Sequence, residues 1–558
     1  MKLLKNLFAA AFFTVAAPIF AQPTTAQGTN LILGDDNHYI IGNQQIIQSN
    51  FGDLHSNIQP MTRRAAADWA NRDSTLTLAQ RTFMQRDNGD FFDSLKSKKP
   101  FLKYFYRTPA NLYEFNSEVI SFKINPMLNL QIGAQRVGDS TQLIYTNMRG
   151  VQLQGNIGKR LFFYSDIMET QSLFPLYVSN AIESSQAIPQ AGFYKPFSSR
   201  FAPNRNAGYD YLLASGYLSF DALKCVNIQF GNGRNFIGDG YRSLLLSNNS
   251  NNYNYLKINT HYKFLHYQNI FAELVADHIP RANNRVPRKF MTAHYLSLNI
   301  LKNLNISFFE SVVYGARNGL ELGYLNPIIF YRAVEQNLGS PDNAMVGMTA
   351  KYNFLRRFSV YGQIVFDELV FNELFINRQG WWGNKYGLQA GLKYADAFGL
   401  KGLQLQAEYN IVRPYTYTFI DSTANYTHYN QPLAHPLGAN FKEAIFMATY
   451  TGVPRLFLQA QLFYIQQGLD TMGSNWGTNL RQSYTTRQQE YGNQIGQGMA
   501  QNSLIFNLQA QYAIRHNVNI ALLYTYRRSR SDLTTQNYNS QIFSLAFRYN
   551  FTPYQLNF

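Results

Sequence analysis

The chain has 558 residues, of which 46 % are hydrophobic, 15 % aromatic and only 15 % charged, and its formal net charge is +16. Disordered chains have few aromatics and much charge, the reverse of this composition. The single Cys225 excludes a disulfide scaffold, and a mean hydropathy of −0.28 is too polar for a bundle of membrane helices.

The first 22 residues, MKLLKNLFAAAFFTVAAPIFAQ, place Lys2 and Lys5 ahead of an apolar run over 7–20 and Ala21 at a cleavage position. The run is too short for a membrane span and small residues follow it, so 1–22 is expected to be a secretory signal peptide. No Cys lies near the cleavage position to take a lipid. The segment carries two lysines and no acid, so its removal leaves a charge of +14. A basic exported protein suggests an anionic partner, either acidic polysaccharide or lipid phosphate. Nucleic acid is not expected, because the chain is exported and has no basic run.

Residues 23–100 form a region of their own. In 60–71, PMTRRAAADWAN, a leading Pro and an Ala-rich stretch predict a helix. Asp73 or Ser74 is a candidate cap for a second helix, in which Leu76, Ala79, Phe83 and Met84 follow helical spacing. A third short helix is expected over 89–96.

From about Ser117 the pattern switches to period two. Phe543, Leu545, Phe547, Tyr549 and Phe551 alternate with Ser544, Ala546, Arg548 and Asn550. The same alternation runs through Leu504 to Tyr512, Val518 to Tyr526, Tyr386 to Tyr394, Leu403 to Ile411 and Leu456 to Tyr464. Alternate side chains of a strand point to opposite faces, so each has one apolar and one polar face. Aromatic residues at the strand ends, with aliphatic ones between, fit two membrane interfaces. Short turns are expected at 125–126, 158–160, 301–303, 452–454 and 515–517. Long connections are expected at 171–208, 232–251, 315–342, 368–384, 414–440 and 467–502. Short turns at one rim and long loops at the other describe an outer-membrane β-barrel. Nineteen strand candidates follow Ser117. Single-chain barrels have even numbers, so the expected count is eighteen, or twenty if 101–106 adds a strand. The reading is therefore an all-β transmembrane barrel over 101–558, and 23–100 is a helical plug at its periplasmic end. A barrel this wide needs such a plug if it is not to stay water-filled.

No catalytic constellation stands out, and no cofactor or metal is expected. The nine His form no metal-binding pair, although His261 and His266 flank a predicted short turn. Residues 231–236, GNGRNF, lack the third Gly of a dinucleotide loop. Asp367, Glu368 and Glu373 offer no paired acid and base. The loops carry more. Arg234, Asp239, Tyr241 and Arg242 lie in a Gly-rich stretch, and Arg378, Trp381 and Trp382 in a second one. Sugar C–H faces stack on aromatic rings, and sugar hydroxyls suit Asp and Arg, so these seven are candidate glycan contacts. Interface anchoring is the alternative for the two Trp. Arg317, Arg332 and Glu335 are read as lumen ion pairs, with ligand contact as the alternative.

Five stretches carry a family resemblance: GNGRNFIGDGYRSLLLS (231–247), YLNPIIFYRAVEQNLGSPDN (324–343), WWGNKYGLQAGLKY (381–394), EYNIVRPYTYT (408–418) and QPLAHPLGANF (431–441). The chain resembles the Wzi-type capsule-assembly family, and within it most the RemB branch from gliding bacteria of the Bacteroidetes. The resemblance implies an eighteen-stranded outer-membrane barrel with a periplasmic helical plug. It also implies a lectin-like, non-enzymatic role in holding capsular or lipopolysaccharide-type surface polysaccharide, and the RemB branch implies a link to surface motility. The expected partners are outer-membrane lipid and an anionic glycan, and the expected state is monomeric. A porin or solute channel is the alternative from a different class.

Overall fold

The computed structural model describes residues 28–34, 36–49, 51–71, 76–88, 105–108, 110–198, 208–278, 286–315, 319–471, 473–532, 537–551 and 556–558. Eighteen antiparallel strands close into a barrel. In chain order they are β1 (Ile120–Val137), β2 (Ser140–Ile157), β3 (Leu161–Leu173), β4 (Gly208–Leu223), β5 (Val226–Gly233), β6 (Tyr253–Tyr262), β7 (Leu265–Val275), β8 (Arg288–Leu301), β9 (Leu304–Gly315), β10 (Asn343–Phe354), β11 (Phe358–Glu368), β12 (Lys385–Ala395), β13 (Leu403–Val412), β14 (Phe441–Tyr450), β15 (Leu456–Leu469), β16 (Met499–Arg515), β17 (Val518–Ser531) and β18 (Tyr538–Tyr549). Each pairs with the next, and β18 pairs with β1, for example Leu545 with Ile132. Among the described residues no helix is long and apolar enough to cross a membrane; the crossing is made by strands.

The period-two pattern lands as expected. Leu522, Phe543, Leu545, Tyr512, Tyr409 and Tyr464 are exposed on the outer face. The intervening Ser544, Gln389, Lys393 and Gln404 are buried on the inner one. The strands alternate between two solvents, lipid outside and a polar interior inside. The eight turns at one rim are short, as at 158–160, 302–303 and 516–517, while the other rim carries the long connections. Two connections at that second rim are short: 532–537 joins β17 to β18, and a still shorter one joins β1 to β2. Gly138-Asp139 joins β1 to β2, with Gly138 at φ 56, the left-handed geometry of a two-residue hairpin turn.

The turn expected at 125–126 is absent, because β1 runs unbroken through both residues and Pro126 is paired with Val151. That false turn accounts for a count one strand too high. Pro126 is tolerated because its other edge is locally free of ladder partners. A short strand at Tyr113–Asn116 pairs with 121–124, and β18 begins pairing at Leu128. The stretch 101–106 adds no barrel strand. Phe105 makes only an isolated bridge to Tyr113, and 101–104 lie outside the described residues.

Among the described residues three helices precede the barrel: α1 (Asp36–Gln48), α2 (Arg63–Asn71) and α3 (Leu78–Asp87). The sequence pattern missed α1, whose polar residues hide its buried Ile41, Ile46 and Ile47. The cap of α3 is Thr77, whose side chain accepts from Gln80 N while the Gln80 side chain accepts from Thr77 N, a reciprocal capping box. Asp73, Ser74 and the helix expected at 89–96 lie outside the described residues. The helical unit sits inside the barrel. Asn57 Nδ2 donates to Asn305 and Ser307, Asn353 Nδ2 to Ile46 O, and Asn299 Nδ2 to Leu54 O.

Candidate functional site

The stretch between β5 and β6, 234–252, folds into the barrel and packs on the helical unit. Ile58 and Gln59 pair with Ile237 and Phe236 as a two-residue ladder. Leu244, Leu245 and Leu246 are fully buried, and wall side chains hold the backbone around them. Gln363 Oε1 accepts from Leu244 N at 2.8 Å, Gln389 Nε2 donates to Arg242 O at 3.0 Å, and Lys393 Nζ donates to Asp239 O at 2.6 Å. The Glu408 carboxylate accepts from the backbone N–H of Tyr241 and Arg242 at 2.7 and 3.1 Å. From the opposite side, Tyr417 and Tyr426 of the β13–β14 connection donate to Leu244 O and Leu245 O. The lumen is thus filled in layers: helical unit, inward loop and outer loop.

The seven candidate residues divide between two places. Asp239 is a structural ion. It pairs with Lys351 at 2.9 Å, accepts from Ser56 Oγ at 2.6 Å, and is 6 % exposed. Burial alone would raise its carboxyl, but Lys351 and Lys393 outweigh that and hold it below its ordinary value.

Arg234, Tyr241 and Arg242 line one cavity of about 260 Å³ between the helical unit and the inward loop. Arg234 donates to Gln190 Oε1 at 3.3 Å and Asn248 O at 3.0 Å. Arg242 pairs with Glu443 at 3.2 Å, while its Nε is buried without a hydrogen-bond partner. Burial disfavours the Arg242 charge, and Glu443 more than offsets this. Glu443 also receives His435 Nε2 at 2.7 Å, so one carboxylate ties two loops together. The chain's end reaches this place too. Arg242 donates to Asn557 O, and Asn557 Nδ2 donates to the Tyr241 hydroxyl at 2.9 Å. The remaining cavity lining is rich in hydroxyls and amides, including Tyr164, Ser215, Asn249 and Gln406, and holds one carboxylate, Asp166. Asp166 is held by Tyr164 Oη at 2.6 Å and Ser215 Oγ at 2.9 Å. A wall of fixed donors and acceptors beside aromatic rings suits a hydroxyl-rich ligand.

Arg378, Trp381 and Trp382 stand apart, among the outer loops. Arg378 is exposed and donates to its own segment, Nε to Phe375 O at 2.8 Å. Trp382 is 8 % exposed. The Arg487 guanidinium lies 4.3 Å over its ring, the Tyr484 ring packs against it at 4.7 Å with a 39° tilt, and the Trp382 backbone N–H donates to Glu490 O. Trp381 O accepts from Arg413 at 3.2 Å. Trp382 therefore clamps the loops after β11, β13 and β15 together, and it is not an interface anchor. Arg332 and Glu335 pair with each other at 2.9 Å on a helix outside the wall, so they are not lumen ions; Arg317 lies outside the described residues.

Sequence reasoning missed Glu408, Gln389, Lys393 and Lys351 as the residues that hold the inward loop. Their signal was the polar face of each strand, and nothing in the pattern says which polar residue meets which loop. Among the described residues no group of His, Cys, Asp or Glu is placed to hold a metal ion.

A family model described as capsule assembly protein Wzi matches residues 153–542. Among solved structures, one titled as Wzi, an outer-membrane protein involved in group 1 capsule assembly in Escherichia coli and a carbohydrate-binding β-barrel, aligns with a TM-score of 0.58 at 11 % identity, covering 95 % of this chain and 100 % of that one. The outer-membrane protein OprD of Pseudomonas aeruginosa aligns with a TM-score of 0.40 at 11 % identity over 76 % of this chain and 94 % of that one. No curated protein matches the chain in sequence.

Proposed function

The chain belongs to the capsule assembly protein Wzi family, and from that premise we propose that it is a non-enzymatic outer-membrane barrel that binds and helps anchor surface polysaccharide. The observation that carries the reading is the cavity to which Arg234, Tyr241 and Arg242 contribute from one inward loop, with a buried, unpartnered Arg242 Nε beside it. Buried donors are normally satisfied, and an acidic, hydroxyl-rich ligand supplies acceptors. The net charge of +14 left after removal of 1–22 favours an anionic glycan. In this reading 1–22 is the cleaved export signal, 23–100 the plug and 101–558 the barrel. The carbohydrate binding named for the Escherichia coli relative supports the same direction.

Titration of the detergent-solubilised protein with acidic and neutral capsular polysaccharides tests it. Binding of an acidic glycan, weakened about tenfold by Arg234→Gln, is expected. No binding to any glycan, or binding indifferent to Arg234→Gln, argues against it. Within the family we place the chain in the RemB branch, on the stretches at 231–247 and 324–343. Co-purification with surface-motility proteins checks that finer assignment, and a protein that purifies alone counts against it.

A further inference from the structure

The connection between β9 and β10 does not rise over the barrel mouth. Residues on β8, β9 and β10 that meet the helical unit are Ser297, Asn299, Asn305, Ser307, Lys351 and Asn353. Strand alternation then puts Phe290, His294, Glu310, Val312, Tyr314 and Ala344 on the outside. These outside residues are the ones that the connection covers. Tyr324 and Tyr331, both fully buried, pack with Val312, Tyr314, Ala344 and Phe290. The Tyr331 ring lies 3.9 Å from His294, Arg332 N donates to Glu310 Oε1 at 2.9 Å, and Tyr267 Oη, also on the outer face, donates to Pro327 O at 2.7 Å. Segment 319–342, with helix α4 at Tyr331–Asn337, is a flap folded down the outer wall.

The depth of the flap follows from the register. Glu310 is opposite Val346, six residues along β10 from Tyr352 near the short-turn rim. At roughly 3.4 Å per residue and a tilt of about 40°, that places Glu310 about 16 Å above that rim, inside an apolar band about 25 Å tall. Neighbouring outward residues at and below this level, Phe308, Val346 and Met348, are exposed apolar side chains of the lipid-facing belt. On its far side the flap presents Leu322, Ile328 and Phe330 at 80, 68 and 78 % exposure. The next outer segment around the barrel adds Phe371 and Ile376.

We propose that segment 319–342 is embedded in the outer leaflet, with Leu322, Ile328 and Phe330 in contact with lipid acyl chains. Three observations support lipid as the occupant. The apolar side is continuous with the belt, it lies at membrane depth, and the flap covers the polar groups of the outer wall beneath it, laying the Tyr331 ring on His294 and donating the Arg332 N–H to Glu310. A patch of this kind would be unfavourable in water. The flap is an amphipathic anchor built on a barrel wall.

The test uses the full chain with Cys225→Ser, reconstituted in phosphatidylethanolamine/phosphatidylglycerol vesicles. Nitroxide labels go at Phe330→Cys and, as a second site, Leu322→Cys. References are Leu522→Cys on the belt and Gln494→Cys on an exposed outer loop. The expected result is collision with oxygen and protection from a water-soluble nickel chelate at 330 and 322, matching 522. Nickel accessibility like that of 494 overturns the proposal, because the flap then faces water. Protection from both reagents also overturns it, because a second copy of the chain then covers the patch.

Discussion

Single residues explain why the site is rigid. Lys351 and Asp239 are buried together, and Asp239 also receives Ser56 from the helical unit. Removing one member of a buried pair leaves the other charge unsolvated, at about 3–5 kcal/mol. Asp239→Asn should therefore lower the urea midpoint of the folded barrel in micelles, and Asp239→Leu with Lys351→Met should recover most of the loss. An unchanged midpoint for the single variant would show that the pair is not structural. Trp382 acts the same way among the outer loops, under Arg487 and against Tyr484. Trp382→Ala should cost about 3–5 kcal/mol of local packing. It should expose the loop between β15 and β16 to protease on intact cells while the barrel stays resistant. The sequence suggested contact chemistry for both residues, because Asp and Trp in Gly-rich loops look alike whether they hold a ligand or hold each other.

At the scale of elements, the strands were legible and the helical unit only partly so. Alternation is imposed by lipid on one side, so runs such as 386–394 and 541–549 announce themselves, whereas Pro126 imitated a turn because its unpaired edge lies outside the local sequence. The helix α1 was hidden because it is packed in a polar lumen, where an amphipathic stripe is not required. Besides the amide contacts of Asn57, Asn299 and Asn353, titratable groups dock the unit. Burial alone would raise the Asp87 carboxyl, but Arg63 at 2.8 Å, with His38 and His516, outweighs this and holds it well below the ordinary range. His516 belongs to the β16–β17 turn, so this cluster latches the unit to the barrel floor. His55 meets His261 and His266, each at 5.6 Å between ring centroids, and burial followed by His261 lowers it to about 3. The unfolded His binds its proton near 6.5, so docking of neutral His55 is fully favourable above that pH. The advantage is lost steadily as pH falls from about 6.5 towards 3. The depressed Asp87 contributes in full above the ordinary carboxylate range, and its contribution is lost as pH falls from that range through its still lower folded value. Proteolysis of the helical unit should thus increase between pH 6.5 and 4, and His55→Gln should flatten that dependence. A flat profile in the unmodified protein would remove His55 from the latch.

At the scale of the whole molecule, a composition poor in charge and rich in aromatics, yet polar on average, is a division of labour between two solvents. The lipid side takes the Phe, Leu and Tyr, the inside takes the Gln, Asn and Ser, and the few charges are spent on buried pairs that lock loops to walls. The barrel and its helical unit could be read from periodicity and resemblance. The interior could not, because its layers join residues far apart in sequence, as when Gly238 N donates to Asn57 O and Ser247 N to Leu433 O. That layering makes a specific statement about permeability. A simple plugged pore would open when the helical unit is removed. Here the inward loop 234–252 is held independently by Gln363, Gln389, Lys393 and Glu408 from the wall, and by Tyr417 and Tyr426 from the outer loop. Deleting 28–88 removes only the lowest layer. In planar bilayers the intact protein should show little conductance, the deletion variant a modest rise, and a variant that also replaces 238–248 by a short Gly/Ser linker a large, stable step. A large step in the intact protein would favour the solute-channel reading. A large step on deletion of 28–88 alone would mean that the inward loop depends on the helical unit for its place, despite its contacts with the wall.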